Sequence, residues 1–256
     1  MMNLAKLQVT TFARRHSKYE CQVLIVREVC EMRFRHEVKH RIIYADLLAL
    51  RSRLSSVLAR DAHAVGGRYE VRSLYFDNVE DKALREKLDG VNCREKFRIR
   101  YYNGDTSLIL LEKKSKINGL CSKAQARIGR GEARAIAIGD FAREGFEIAG
   151  RELLWELCCK MDLQGLRPRT IVDYTREAFV YAPGNVRVTL DYDIRTGMDC
   201  TDFLNPGCVT VPVRDGPIIL EVKWDEFLPS VVADLVQTPA TRTAAFSKYA
   251  ACRIYN

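Results

Sequence analysis

Six short stretches place charged side chains at every second position of segments that otherwise read as buried β-strands. They are Glu37-Val38-Lys39, Lys96-Phe97-Arg98-Ile99-Arg100, Glu112-Lys113-Lys114-Ser115-Lys116, Lys123-Ala124-Gln125-Ala126-Arg127, Arg187-Val188-Thr189-Leu190-Asp191 and Glu221-Val222-Lys223. Successive strand side chains point to opposite faces, so each stretch has a charged face and a mostly apolar one. A single strand of this kind is an ordinary surface strand. Six of them, mostly basic with a few carboxylates among the cations, predict a charged wall facing a polyanion and a metal ion. Glu221 beside Lys223 on one strand face makes little sense for anion binding unless a metal sits between it and the anion. Glu37, Glu112 and Asp191 are the next candidates for that metal, and Asp191 fits equally well as an ion-pair partner for an arginine of the wall.

Positioning such a wall takes a sheet. The pattern gives a strand over 33–41, then a helix over about 44–59 with Leu47, Leu50, Leu54 and Leu58 on one stripe. Gly66-Gly67 breaks the chain before a strand at 69–76, and Asp77 can cap a short helix that runs to Leu88 and closes at Gly90. A meander follows, with strands at 95–102, 106–115 and 120–128 joined at Asn103-Gly104 and Asn118-Gly119, both strong hairpin signals. Helices over about 131–143 and 150–162 interrupt it. Strands at 169–181 and 185–193 pair across Pro183-Gly184-Asn185, and a strand at 217–224 leads into helices at 226–237 and from about 242. Eight strands in mostly sequential hairpins imply an α+β fold, an eight-stranded antiparallel barrel or tunnel with flanking helices. The helices must cover apolar strand faces, which turns the charged faces inward. Residues 1–31 fit this pattern poorly and read as an N-terminal extension, with the tunnel domain over 32–256.

Composition narrows the partners. The 256 residues carry a net charge of +8, which favours anions such as nucleotides, polyphosphate, nucleic acid or a membrane surface. No run approaches the length of apolar residues that a transmembrane helix needs, so no membrane span is expected, and no apolar signal core follows Arg14, Arg15 and Lys18. Nine cysteines at scattered spacing, with no CxxC pair, read as free thiols in a cytoplasmic protein. Four histidines, none paired at ligand spacing, argue against a structural zinc. Few aromatics interleave the basic positions, so single-strand nucleic-acid binding is not the expectation.

Eight segments carry a resemblance: FRHEVKHRI, RSLYFDN, REKFRIRYYNGD, LEKKSKINGLCSK, RPRTIVDYTREAFVY, VRVTLDYDIRTG, ILEVKWDEFLP and AFSKYAACRIY. In order and spacing, from Arg33 to Tyr255, the chain resembles the catalytic domain of the vacuolar transporter chaperone polyphosphate polymerases, within the triphosphate tunnel metalloenzyme superfamily. That resemblance implies an eight-stranded tunnel binding a nucleoside triphosphate or polyphosphate among inward basic side chains, with a divalent metal, Mn²⁺ or Mg²⁺, on carboxylate. It assigns phosphate-binding roles to Lys39, Arg98, Arg100, Lys114, Lys123, Arg169, Arg176 and Lys248, and the metal to Glu221. The alternating pattern adds Arg187 and Lys223 as substrate contacts. Arg169 and Arg176 have opposite parity, so both can face the tunnel only if a bulge intervenes. One departure matters: the wider superfamily opens its first strand with Glu-x-Glu-x-Lys, and here Arg35 replaces the first carboxylate, a pattern the polymerase branch shares.

The chemistry suits the residues. Phosphoryl transfer spreads negative charge over the transferring group, so positioning and fixed positive charge do most of the catalysis. A chain-end phosphate is already largely ionised near neutral pH, so no strong general base is required. The expected activity is transfer of the γ-phosphate of ATP to a growing polyphosphate chain. Hydrolysis of tripolyphosphate or a nucleoside triphosphate is the alternative, and polyphosphate binding without turnover a third. The resemblance also leaves room for a separate membrane partner, because the chain shows no membrane helices of its own.

Overall fold

The computed structural model describes residues 34–64, 66–140, 151–239, 242–243 and 245–253. The expected extension over 1–31 and the last residues of the expected helix 131–143 lie outside them. Eight long strands form: β1 (His36–Ile42), β3 (Tyr69–Asp77), β4 (Arg94–Tyr102), β5 (Asp105–Ile117), β6 (Leu120–Ile128), β7 (Arg167–Tyr181), β8 (Val186–Thr196) and β10 (Ile218–Trp224). Three two-residue strands that alternation could not reveal extend the sheet: β2 (Ala59–Arg60), β9 (Val211–Pro212) and β11 (Arg242–Thr243). Among the described residues six helices flank it: α1 (Tyr44–Val57), α2 (Lys82–Leu88), α3 (Arg130–Ile138), α4 (Glu152–Leu163), α5 (Ser230–Leu235) and α6 (Lys248–Arg253).

The sheet runs β11-β1-β10-β8-β7-β3-β4-β5-β6, antiparallel throughout. Its two flanks curl until they meet at one place, where Arg35 N donates to Cys121 O at 2.9 Å and Cys121 N to Arg35 O at 3.2 Å. Tight hairpins make the curl possible. Asn103 and Gly104 have φ of 52° and 71°, and Asn118 and Gly119 have 49° and 85°, the left-handed pairs that a two-residue hairpin turn demands. At Gly184 (φ 70°) a Cβ would lie 2.4 Å from the Phe227 carbonyl oxygen, so the β7–β8 turn has room for glycine alone.

Apolar strand faces lie outside, under helices, as period-2 alternation requires. Phe97, Ile99 and Leu111 pack with Leu153, Leu154, Leu157 and Met161 of α4, while Val188, Leu190, Leu220 and Val222 pack with Leu47, Leu50 and Leu54 of α1. A third cluster departs from the expectation of a wholly charged interior. Val172 and Ile219 share parity with the cations Arg176 and Lys223 on their strands, yet with Val71 of β3 they are buried against Tyr249 and Cys252 of α6. Part of the barrel's inner face is therefore apolar, and α6 covers it. Two helix boundaries differ from the sequence reading for local reasons. α5 starts only after Pro229, whose ring suits a helix start and not a helix interior, and the segment expected to be helical from 242 first forms β11 on the edge of β1.

Candidate active site

The inner face encloses a cavity of about 720 Å³ lined by eleven lysines and arginines and three carboxylates. β4 supplies Lys96, Arg98 and Arg100 at alternate positions, while Phe97 and Ile99 between them are buried on the other face. Glu112, on the facing strand β5 and 1 % exposed, fixes the two arginines. Arg98 Nε donates to Glu112 Oε2 at 2.7 Å and its Nη1 to the Tyr75 hydroxyl at 2.6 Å. Arg100 reaches the same oxygen at 3.7 Å and donates to Ser73 Oγ at 2.9 Å and the Tyr174 hydroxyl at 3.1 Å. Lys123 approaches the other oxygen of Glu112 at 3.3 Å. Burial alone would raise the Glu112 carboxyl, but Arg98 and Arg100 hold it well below the usual carboxylate range.

A second group forms where β1 and β10 pair, with Glu37 opposite Lys223 and Lys39 opposite Glu221. Lys39 lies 2.9 Å from Glu37 and 3.5 Å from Glu221, Lys223 lies 2.7 Å from Glu221 and 3.5 Å from Glu37, and Lys114 reaches Glu37 at 2.6 Å. Burial opposes ionisation of Glu221, 5 % exposed, but Lys223, Lys39 and Lys114 hold its pKa far down. Burial and the charge on Lys39 push the Lys114 amine down to about 8, although Glu37 pulls the other way.

The third group is held by Asp191, which is 0 % exposed. Arg176 grips it with both prongs, at 2.6 and 2.7 Å, and Lys248 of α6 donates to it at 2.5 Å. Tyr174 lies under these cations, with Lys248 Nζ 4.6 Å and the Arg176 guanidinium 5.3 Å from its ring centre. At the cavity's rim Arg187 is bound to Asp61 and donates to the Tyr69 hydroxyl at 2.8 Å.

The chain thus brings together Lys39, Arg98, Arg100, Lys114, Lys123, Arg176, Arg187, Lys223, Lys248, Glu37 and Glu221 on one lining. Arg169 is the exception. It sits at a bulge in the β3–β7 pairing, out of step with Val172, Tyr174 and Arg176, and turns to Asp81 at 3.4 Å, away from the lining. All four candidate metal ligands have oxygens engaged by cations, Glu112 and Asp191 by arginine as well as lysine and Glu37 and Glu221 by lysine alone. Glu37 and Glu221 lie close enough that each raises the cost of ionising the other or shares its cations. Among the described residues no three His, Cys, Asp or Glu side chains gather as a metal centre. Two hard carboxylates that can be joined by phosphate oxygens nevertheless suit Mg²⁺ or Mn²⁺, ions that commonly use one or two carboxylates plus substrate.

The VTC domain family model matches residues 34–255, nearly the whole described chain. The chain belongs to the VTC domain family. Its fold is that of the triphosphate tunnel metalloenzymes. It is similar to a Hippeastrum protein assigned as an adenylyl cyclase and described as having a dominant triphosphatase activity, at 14 % identity and a TM-score of 0.53 over 86 % of this chain and 96 % of that one. A protein from Bacillus halodurans assigned as an adenylate cyclase matches at 13 % identity and a TM-score of 0.44, over 75 % and 81 %. The capping-enzyme triphosphatase of Mimivirus matches at 11 % identity and a TM-score of 0.39, over 85 % and 93 %. No curated protein matches.

Two residues of this VTC domain's cavity escaped the sequence reading, and a third, Lys96, stood in the charged wall without an assigned role. Tyr75 and Tyr174 look like core aromatics in strand sequence, and here their hydroxyls receive Arg98 and Arg100. Burial would raise the Tyr75 phenol, yet Arg98, Lys96 and Arg100 draw it down to about 7. Lys96 shares the parity of Arg98 and Arg100, a signal that was available. It lies 5.2 Å from the Tyr75 ring centre and has no carboxylate partner among the described residues. Burial, offset in part by Tyr75, together with Lys114, Arg98 and Lys39 pushes its amine down to about 7. The described cysteines are free, as expected, with the sulfurs of Cys200 and Cys208 2.7 Å apart.

Proposed function

We propose that this VTC domain is a metal-dependent phosphotransferase that moves the γ-phosphate of ATP onto a growing inorganic polyphosphate chain within the cavity. The observation that carries the reading is the wall itself: three separate strand pairs aim cations at one 720 Å³ space, with Glu37 and Glu221 as the carboxylates facing it from the β1–β10 seam. Arg98 and Arg100, locked by Glu112, present guanidinium forks suited to phosphate oxygens. Lys39, Lys114 and Lys248 add point charges from other sides, and Lys123, Arg176, Arg187 and Lys223 extend the wall for a longer chain. A divalent ion on Glu221 and Glu37 would supply Lewis-acid neutralisation of phosphate oxygens.

Arg35 supports transfer over hydrolysis. It occupies the position of the superfamily's first carboxylate and is tied instead to Asp225 at 2.6 Å. One carboxylate fewer leaves less to hold a second metal or an attacking water. The Hippeastrum relative's described activity keeps triphosphate hydrolysis as the second reading. Incubation with ATP and Mn²⁺, followed by a gel stained for polyphosphate, separates the two. Long polymer supports transfer, whereas orthophosphate or pyrophosphate alone supports hydrolysis.

A further inference from the structure

The loop 197–210, between β8 and β9, crosses the outer face of the sheet. Phe203 within it is 0 % exposed and packs on Tyr101 of β4, with ring centres 4.8 Å apart. The Tyr101 hydroxyl donates to the Phe203 carbonyl at 3.0 Å. Arg72 of β3, held by Asp173 of β7 at 2.8 Å, donates to the Asn205 carbonyl at 2.8 Å. The loop is therefore fastened to three neighbouring strands, β7, β3 and β4.

Turns within the loop bring its two cysteines together. Cys200 N donates to the Gly197 carbonyl at 2.9 Å and Cys208 N to the Asn205 carbonyl at 3.1 Å. The Asn205 side chain holds both Asp202 and the Gly207 amide at 2.9 Å. The Cys200 and Cys208 sulfurs end 2.7 Å apart, and both residues are partly exposed and pack against the cluster that contains Tyr101 and Phe203. A disulfide bond spans roughly 2 Å, so side-chain rotation brings the sulfurs together without breaking any of these ties. Cys158, Cys159 and Cys252 are buried by contrast, and Cys93 is exposed. Burial and the neighbouring Cys200 push the Cys208 thiol up to about 12, so Cys208 keeps its proton.

We propose that Cys200 and Cys208 form a reversible oxidation site, at which hydrogen peroxide joins them in a disulfide that staples the loop over β3, β4 and β7. The Cys200 sulfur attacks the peroxide O–O bond, which gives a sulfenic acid and releases water. The Cys208 sulfur then displaces the remaining oxygen, which leaves as water with the Cys208 proton. The two sulfurs give up two electrons and the peroxide takes them, and a dithiol returns both electrons. In a reducing compartment such a bond is transient and forms under oxidative load. The site is independent of the phosphate chemistry in the cavity.

Alkylation mapping of the full chain tests it. Trypsin cuts after Arg195 and Arg214, and the peptide 196–214 between them holds Cys200 and Cys208 and no other cysteine. After N-ethylmaleimide this peptide should carry two alkyl groups in the reduced chain, none after hydrogen peroxide, and two again after dithiothreitol. Retention of both groups under peroxide that oxidises Cys93 overturns the site. So does a loss that dithiothreitol does not reverse, which is over-oxidation without a bond, or a reversible bond that joins two chains. Melting curves read the staple. The oxidised wild type should melt about 5–10 °C above the reduced one, as expected for a short closed loop in a chain of this size. Cys93→Ser should keep that rise, and Cys200→Ser and Cys208→Ser should each lose it. A bond that forms without raising the melting temperature, or an equal rise in Cys208→Ser, overturns the staple.

Discussion

Glu221 and Glu112 are both buried carboxylates surrounded by cations, yet their removal should have opposite consequences. Glu112 clamps Arg98 and Arg100 in place, so Glu112→Gln frees two guanidiniums and should weaken tripolyphosphate binding through lost orientation. Glu221 faces the cavity, and Glu221→Gln should retain tripolyphosphate binding while losing most turnover and changing the metal requirement. Arg98→Ala should lose both, on the order of 2–4 kcal/mol of transition-state stabilisation. Calorimetry beside a product gel checks all three. A second prediction concerns pH. Lys96 falls from 10.5 to about 7 on folding and Tyr75 from 10.0 to about 7, so between those values the unfolded chain binds more protons than the folded one. Stability of the ligand-free chain should therefore rise with pH from about 7 towards 10, and the penalty should be complete below 7. Lys96→Met should raise the melting temperature at about pH 6 more than at about pH 9.5. An equal gain at both would show that the Lys96 amine is not strained by its surroundings. Alternation of charge made most of this wall readable in the sequence, because Arg98, Arg100 and Lys223 have apolar strand neighbours. It could not reveal Tyr75 or Tyr174, since aromatic residues in strands are ordinarily core. Arg169 came from the resemblance and not from alternation, which put it out of step with Arg176 unless a bulge intervened; a bulge is present, and Arg169 still turns to Asp81.

The hairpin strands and α1 followed from turn residues and periodic leucines, and a terminal helix is expected from about 242. α6, on which the site depends, begins only at Lys248, and its place inside the barrel is not legible in the sequence. Its six residues are too few for a periodic signal, and its place inside the barrel is set by distant partners. Asp77 ties it down. One carboxylate oxygen accepts from the Ala83 amide at 2.9 Å, while the other accepts from Leu84 at 3.1 Å and from the Tyr249 hydroxyl at 2.7 Å. Tyr249 also stacks on Tyr75 with ring centres 5.1 Å apart. A single side chain therefore joins the start of α2 to α6, and through it positions Lys248. Tyr249→Phe keeps the packing and removes the hydrogen bond, so it should cost about 1–2 kcal/mol. Tyr249→Ala should cost about 3–5 kcal/mol and also weaken tripolyphosphate binding, because Lys248 loses its platform. Urea melts and calorimetry on the two variants check the pair. If Tyr249→Ala destabilised the chain without affecting binding, Lys248 would be held by Asp191 alone.

Across the whole molecule, strands far apart in sequence aim like charges at one space, and a bound polyanion would hold them together. Tripolyphosphate binds only the folded state, so at a hundredfold excess over its dissociation constant it should stabilise by about 2.7 kcal/mol. A thermal shift series shows this directly, and no shift at millimolar ligand would count heavily against an anion site. The same curl has one weak place. The long strands elsewhere in the sheet are joined by ladders of several residue pairs, whereas β1 and β6 meet through the two hydrogen bonds between Arg35 and Cys121. The ring has a clasp. Opening it breaks these two hydrogen bonds and the Lys114–Glu37 ion pair across the same seam but leaves every long ladder intact, so a chain far longer than the tunnel could be laid in sideways and need not be threaded from its end. Arg35→Cys, oxidised to a disulfide with Cys121, would lock the clasp. It should slow association of long polyphosphate far more than that of tripolyphosphate.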